Sequence, residues 1–171
     1  MATDSVHINP KIQAADLWPL LQTVPDPEVP VLSIVDLGIV RDVQVNDNSI
    51  TIVITPTYSG CPAMDVISMD IRLKLMEKGY RNVHIKQQLS PAWTTDWMST
   101  AGKQKLKAFG IAPPNHKQQV CRQELFATEV VECPRCNSYH TELLSQFGST
   151  ACKALYRCLN CKEAFDYFKC H

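Results

Sequence analysis

Residues 49–80 read SITIVITPTYSGCPAMDVISMDIRLKLMEKGY, and two periodicities meet inside this stretch. Ile50, Ile52 and Ile54 share one face of an extended run, the period-two pattern of a half-buried strand. From Pro62 onward the period becomes helical, with Met64, Ile67, Ile71 and Leu75 forming an apolar stripe. Pro62 suits the first position of a helix, Asp65 falls in the first turn, and Lys74 and Lys78 fall in the last, each matched to the helix dipole. Gly79 is a natural residue to end it. The stretch therefore predicts a strand, a turn carrying Cys61, and a helix over 62–78.

Working outward, Ile39, Arg41, Val43 and Val45 alternate with Val40, Asp42 and Gln44, which predicts a preceding strand turned by Asn46-Asp47-Asn48. Ala14 to Thr23 is apolar enough for a short helix, provided that Pro19 sits in its first turn or kinks it. Pro25, Pro27 and Pro30 make the segment between them a rigid turn. Val83, Ile85 and Leu89 suggest a third strand, and Ser99 caps a short helix ending at Phe109-Gly110. The order helix, strand, strand, helix, strand predicts an α+β fold, in which a small mixed α/β domain is followed by a β-rich metal-binding ribbon.

The cysteines support that division. Only Cys61 lies in the first 120 residues, and the other seven of the eight lie between Cys121 and Cys170. We expect a first domain over 1–110, a linker over 111–130 beginning around Ala112-Pro113-Pro114-Asn115, and a zinc ribbon over 131–171. Cys133-Pro134-Arg135-Cys136 and Cys158-Leu159-Asn160-Cys161 are C-x-x-C pairs separated by 21 residues, just beyond the usual ribbon spacing. Two such knuckles complete the tetrahedral thiolate shell that zinc prefers, with no open position for a substrate. The expected role is structural, since about 40 residues bury too small a core to fold alone. Iron in the same shell, a redox pair and disulfides are the other readings of these four thiols.

The chain has 171 residues, 45% hydrophobic and 20% charged, with zero formal charge at pH 7. This balance offers no general attraction for nucleic acid or anionic lipid. No apolar run approaches the roughly 20 residues of a membrane span. The N-terminus lacks a basic segment followed by an apolar one, so the chain is expected to stay in a reducing cytoplasm.

Cys61 stands between a strand and a helix N-terminus, where the helix dipole can lower a thiol pKa and supply a thiolate. The alternative is a small buried hydrophobe. Cys152 and Cys170 remain once the zinc shell is filled. They could join His171 in a second metal site, form a disulfide, or simply be buried. Cys121 reads as a linker residue, His84 as a satisfied strand histidine, and Trp93, Trp97 and Met98 as an anchor for their loop. No serine-hydrolase constellation, phosphate-binding loop or dinucleotide fingerprint is present.

Four separated motifs carry a resemblance. Asp26-Pro27-Glu28, Asp36-Leu37-Gly38, Thr57-Tyr58-Ser59-Gly60-Cys61-Pro62 and Pro91-Ala92-Trp93-Thr94 occur in order within residues 14 to 110, and together resemble the SufT/MIP-type family of iron–sulfur cluster assembly and delivery. That family in general lacks a zinc ribbon. With the run from Phe147 to Cys158 and the tail Asp166-Tyr167-Phe168-Lys169-Cys170, the chain is similar to the PaaD (PaaJ) family of bacterial phenylacetyl-CoA oxygenase (epoxidase) systems.

The resemblance implies an accessory factor rather than an independent enzyme. It would assemble or insert iron–sulfur or iron centres of that oxygenase in aerobic phenylacetate degradation. Cys61 corresponds to the family's motif cysteine, and Asp26 and Glu28 to its acidic turn. Cys152 and Cys170 lie inside PaaD-like motifs and join Cys61 as candidate ligands for iron or a transient iron–sulfur cluster, alongside Zn2+ in the ribbon. The implied partners are the oxygenase subunits, including the iron–sulfur reductase. The sequence leaves a homo-oligomer open. Rival expectations are a stoichiometric structural subunit of the oxygenase complex and a thiol–disulfide enzyme.

Overall fold

The switch from period two to period 3.6 within residues 49–80 produces the expected elements. In the computed structural model, which describes residues 12–46, 49–114 and 130–169, Ile50, Ile52 and Ile54 lie in β2 (Ser49–Ile54) with all three side chains buried. Helix α2 spans Ala63–Glu77, and Met64, Ile67, Ile71 and Leu75 are buried beneath it. Each such side chain contributes roughly 1.5–3 kcal/mol by leaving water. Strand β1 (Val40–Asn46) pairs antiparallel with β2, and β3 (Val83–Gln87) pairs parallel with it, giving the order β1-β2-β3. A parallel neighbour needs a long crossover, and α2 supplies it. Leu89 lies beyond β3 and is exposed.

Helix α1 (Ala14–Leu21) contributes Leu17 and Leu21 to the same core. Pro19 lies inside this helix rather than in its first turn. Helix α3 (Thr100–Phe109) is capped by Ser99, whose hydroxyl accepts from the Gly102 N–H at 2.9 Å, and it ends at Gly110 with φ of 92°. A single 3-10 turn, Thr95–Trp97, precedes it. Trp93 is the anchor of this loop: its indole N–H donates to the Leu37 carbonyl at 2.9 Å, and Met98 is buried nearby.

The second sheet is antiparallel, ordered β4 (Thr141–Ser145), β5 (Lys153–Cys158), β6 (Ala164–Phe168). Ala154, Tyr156, Phe165 and Tyr167 build a small core with Cys133 and Cys158. The Tyr156 ring meets the edge of Tyr167 at 5.6 Å between centroids.

The two sheets are joined by more than the chain. Ala112 is buried and bridges Tyr167, its N–H donating to the Asp166 carbonyl at 2.8 Å. Phe168, at the end of β6, and Cys152, just before β5, are buried in the core of the first module, where Phe168 lies 6.2 Å from the Trp93 ring. No helix among the described residues is long and apolar enough to cross a membrane.

Candidate functional site

The C-x-x-C pairs fold into two knuckles of the same design. In each, the residue after the second cysteine has a left-handed backbone, Asn137 at φ 59° and Lys162 at φ 66°. In the first, the Asn137 N–H donates to the Cys133 carbonyl at 2.9 Å; in the second, the Cys158 N–H donates to the Glu163 carbonyl at 2.9 Å. These turns aim four sulfurs at one point. Cys133 Sγ lies 3.8 Å from Cys161 Sγ, Cys136 Sγ lies 3.5 Å from Cys158 Sγ, and all four lie within 4.8 Å of one another. A tetrahedral metal with bonds of about 2.3 Å implies sulfur–sulfur edges of about 3.8 Å, so the shell has the right size. Backbone N–H groups, first that of Cys161, also lower the Cys158 thiol to about 6.

A second group of donors gathers where the modules meet. The rigid proline turn closes as Asp26 Oδ1 accepts from the N–H groups of Glu28 at 2.9 Å and Val29 at 2.8 Å, a local arrangement that aspartate favours. This turn presents Glu28 to two elements. The Cys152 thiol donates to Glu28 Oε2 at 3.3 Å, and the Tyr58 hydroxyl donates to Glu28 Oε1 at 3.4 Å. From β5, Lys153 Nζ donates to the Glu28 carbonyl at 3.2 Å. Cys61, one residue before Pro62, the N-cap of α2, completes the wall. Asp26, Glu28, Thr57, Cys61 and Cys152 line one small cleft of about 10 Å³, floored by Met64, Ile67 and Phe168.

The electrostatics correct one expectation. Cys61 is not held as a thiolate by the helix terminus; its pKa is raised. Partial burial is the largest cause, and Glu28 and Asp26 push the same way, against hydrogen bonds from Tyr58 and the Ala63 N–H. The Cys152 thiol is pushed up to about 12, chiefly by burial and then by Glu28, despite the bond to Thr150 and the charge of Lys153. Burial likewise raises Asp26 over the two N–H donors that it accepts. The cleft thus holds protonated thiols beside Asp26 and Glu28, and a cation that binds the sulfurs has to displace their protons.

Cys61, Cys152, Asp26 and Glu28, all named from the sequence, come together here. Cys170, His171 and Cys121 lie outside the described residues. His84 is exposed on β3. Sequence reasoning assigned no role to Tyr58, Thr57 or Lys153. For Tyr58 the signal was its place three residues before Cys61 in the quoted motif. For Lys153 there was none, because a lysine beside a cysteine gives no sign of being buried.

Residues 14–85 match the family described as iron–sulfur cluster assembly protein, and residues 117–169 match the PaaD zinc β-ribbon domain. A protein of Escherichia coli (strain K12), provisionally named as a subunit of 1,2-phenylacetyl-CoA epoxidase, is 50% identical over 92% of this chain and 93% of its own length. An "Fe-S protein maturation auxiliary factor" of Porphyromonas gingivalis (strain ATCC BAA-308 / W83) is 41% identical over 49% of this chain and 81% of its own. The crystal structure of a domain of unknown function, DUF59, from Bacillus anthracis matches with a TM-score of 0.51 and 30% identity, covering 54% of this chain and 90% of that one. With half its residues shared along nearly the full length of both proteins, and with both halves of the fold accounted for, the chain belongs to the PaaD family of phenylacetyl-CoA epoxidase subunits, in which an iron–sulfur cluster assembly domain is joined to a zinc ribbon.

Proposed function

We propose that this chain is a non-catalytic accessory protein that assembles or inserts iron–sulfur or iron centres of a phenylacetyl-CoA oxygenase. The cleft between the modules holds iron or a cluster in transit, with Cys61 and Cys152 as its thiol ligands. The four-cysteine shell holds zinc in a structural role, and the ribbon docks the recipient subunit, the iron–sulfur reductase being the first candidate. The observation that carries the reading is the convergence of Cys61, Cys152 and Glu28 on one cleft. Soft thiolates are the usual protein ligands for iron–sulfur clusters. Two names support it from outside: the maturation factor matched by the first module, and the epoxidase subunit matched by the whole chain. In cells carrying Cys61→Ala, the oxygenase should lose iron or sulfide and activity while its subunits accumulate normally. Unchanged metal content and activity would reject the proposal.

A second reading, a stoichiometric subunit of the oxygenase complex, is favoured by the outer face of α2. Val66, Met69, Leu73 and Met76 are about half exposed there at helical spacing, an apolar stripe suited to a protein contact. Co-purification at a fixed ratio with the active oxygenase would support that reading, and absence from the active complex would remove it.

A further inference from the structure

Resting on the metal-handling reading above, we propose that the cargo of the cleft is a single ferrous ion, bound by the thiolates of Cys61 and Cys152 and the carboxylate of Glu28. The site would be composite: the first module supplies Cys61 and Glu28, and the ribbon module supplies Cys152.

Size is the first argument. The cleft has a volume of about 10 Å³, close to the space that one water-sized particle needs. Even the smallest iron–sulfur cluster has four heavy atoms and does not fit without rebuilding walls made of Val29, Leu37, Ile39 and Phe168. Donor type is the second. Thiolates are soft and carboxylates hard, and two of one with one of the other suit a divalent ion of intermediate character, unlike the all-sulfur shell of the ribbon. Charge is the third. Two thiolates and one carboxylate around a divalent cation leave one negative charge, and Lys153, bonded to the Glu28 carbonyl, sets a positive charge beside it.

The site is also looser than the ribbon shell. Among the described residues, the four ribbon cysteines are the group whose ligand atoms all fall within 4.8 Å of one another. In the cleft, Cys152 and Glu28 are in contact, and Cys61, which is half-buried, has to swing in to complete the set. The existing partners, Thr150 on Cys152 at 3.0 Å and Tyr58 on Glu28, can be exchanged for a metal and restored when it leaves. Two S–H bonds are exchanged for two Fe–S bonds, the two protons pass to solvent, and iron remains ferrous throughout.

The test is anaerobic titration of the full, zinc-loaded chain with ferrous iron and no sulfide, read by iron retained after desalting, by Mössbauer spectroscopy and by zinc content. One high-spin ferrous ion per chain is expected, with zinc undisturbed. Glu28→Gln, Cys61→Ser and Cys152→Ser should each weaken binding by at least about tenfold, the lower end of what even an outer-shell partner of a metal is worth. Glu28→Gln is nearly isosteric, so it stays informative if Cys152→Ser misfolds, and retained zinc reports folding. No ferrous binding, or equal binding by Glu28→Gln and wild type, would overturn the proposal. Iron retained only when sulfide is supplied in similar amount would overturn the single-ion site while leaving the maturation reading intact. Ferrous binding as expected, with normal oxygenase metal content in Cys61→Ala cells, would do the reverse.

Discussion

The Cys152 thiol and the Glu28 carboxylate meet at 3.3 Å although 124 positions separate them in the chain. One residue immediately precedes the second strand of the ribbon, and the other lies in the proline turn of the first module. Lys153 and Phe168 fasten the same seam, the lysine to the Glu28 backbone and the ring against Trp93. The ribbon therefore supplies part of the wall of a cleft whose motif cysteine belongs to the other module.

If the ribbon is held by zinc, its metal should control the cleft. Cys133→Ser, or removal of zinc by a strong chelator, should unfold the ribbon, since structural zinc contributes on the order of 10 kcal/mol to such small units. Cys152, buried in the intact chain, should then become reactive. Mass-resolved alkylation of Cys152 with and without chelator measures this; protection of Cys152 after loss of zinc would contradict it.

Phe168 tests the seam mechanically. Its ring is 1% exposed, and truncating a buried phenylalanine costs about 3–5 kcal/mol. Phe168→Ala should lower the urea midpoint of the first module as well as that of the ribbon. Tryptophan fluorescence is the natural probe, because Trp18, Trp93 and Trp97 all belong to the first module and the Trp93 ring contacts Phe168. An unchanged tryptophan transition would show that the modules are energetically independent.

Gly38 is a backbone requirement. It has φ of 69°, and a Cβ placed there would collide with the Trp97 carbonyl. Gly38→Ala should cost the roughly 1–2 kcal/mol of a left-handed residue plus the relief of that clash. Equilibrium unfolding should show a loss above about 2 kcal/mol; a loss below half that value would mean that the loop shifts freely.

Asp36 should make the fold sensitive to acid well below the ordinary carboxylate range. Burial acts to raise the Asp36 pKa, but Lys105 at 2.6 Å and the hydrogen bonds of Ser33 and Gln22 overcome it and hold the carboxyl at about 2. A depressed native pKa stabilises the fold above the ordinary value of 3.8, and that stability is lost as pH falls from about 4 toward 2. The shift corresponds to roughly 2 kcal/mol. Asp36→Asn should flatten this part of the stability-versus-pH curve, as measured by urea unfolding at each pH. A curve parallel to wild type between pH 4 and 2 would contradict the assignment.

Much of the fold was legible because its signals are local. The stripe Met64, Ile67, Ile71, Leu75 and the termini around it identified α2 to within a residue at each end. The two C-x-x-C pairs identified the four sulfurs that come together. The seam was not legible, because Phe168 and Cys152 look like ordinary strand and turn residues until β6 and β5 are laid against Trp93 and the Asp26 turn. The raised pKa of Cys61 was hidden for the same reason. Helix position is a local property, whereas burial and the approach of Glu28 come from tertiary structure.

On the function proposed above, Cys61 belongs to an iron-handling cleft separate from the ribbon metal. The most direct measurement is zinc, iron and acid-labile sulfide per chain after anaerobic purification of wild type and Cys61→Ala. One zinc is expected in both, with iron present in wild type and lost in the variant. Zinc alone in both proteins, or iron retained equally by Cys61→Ala, would contradict it.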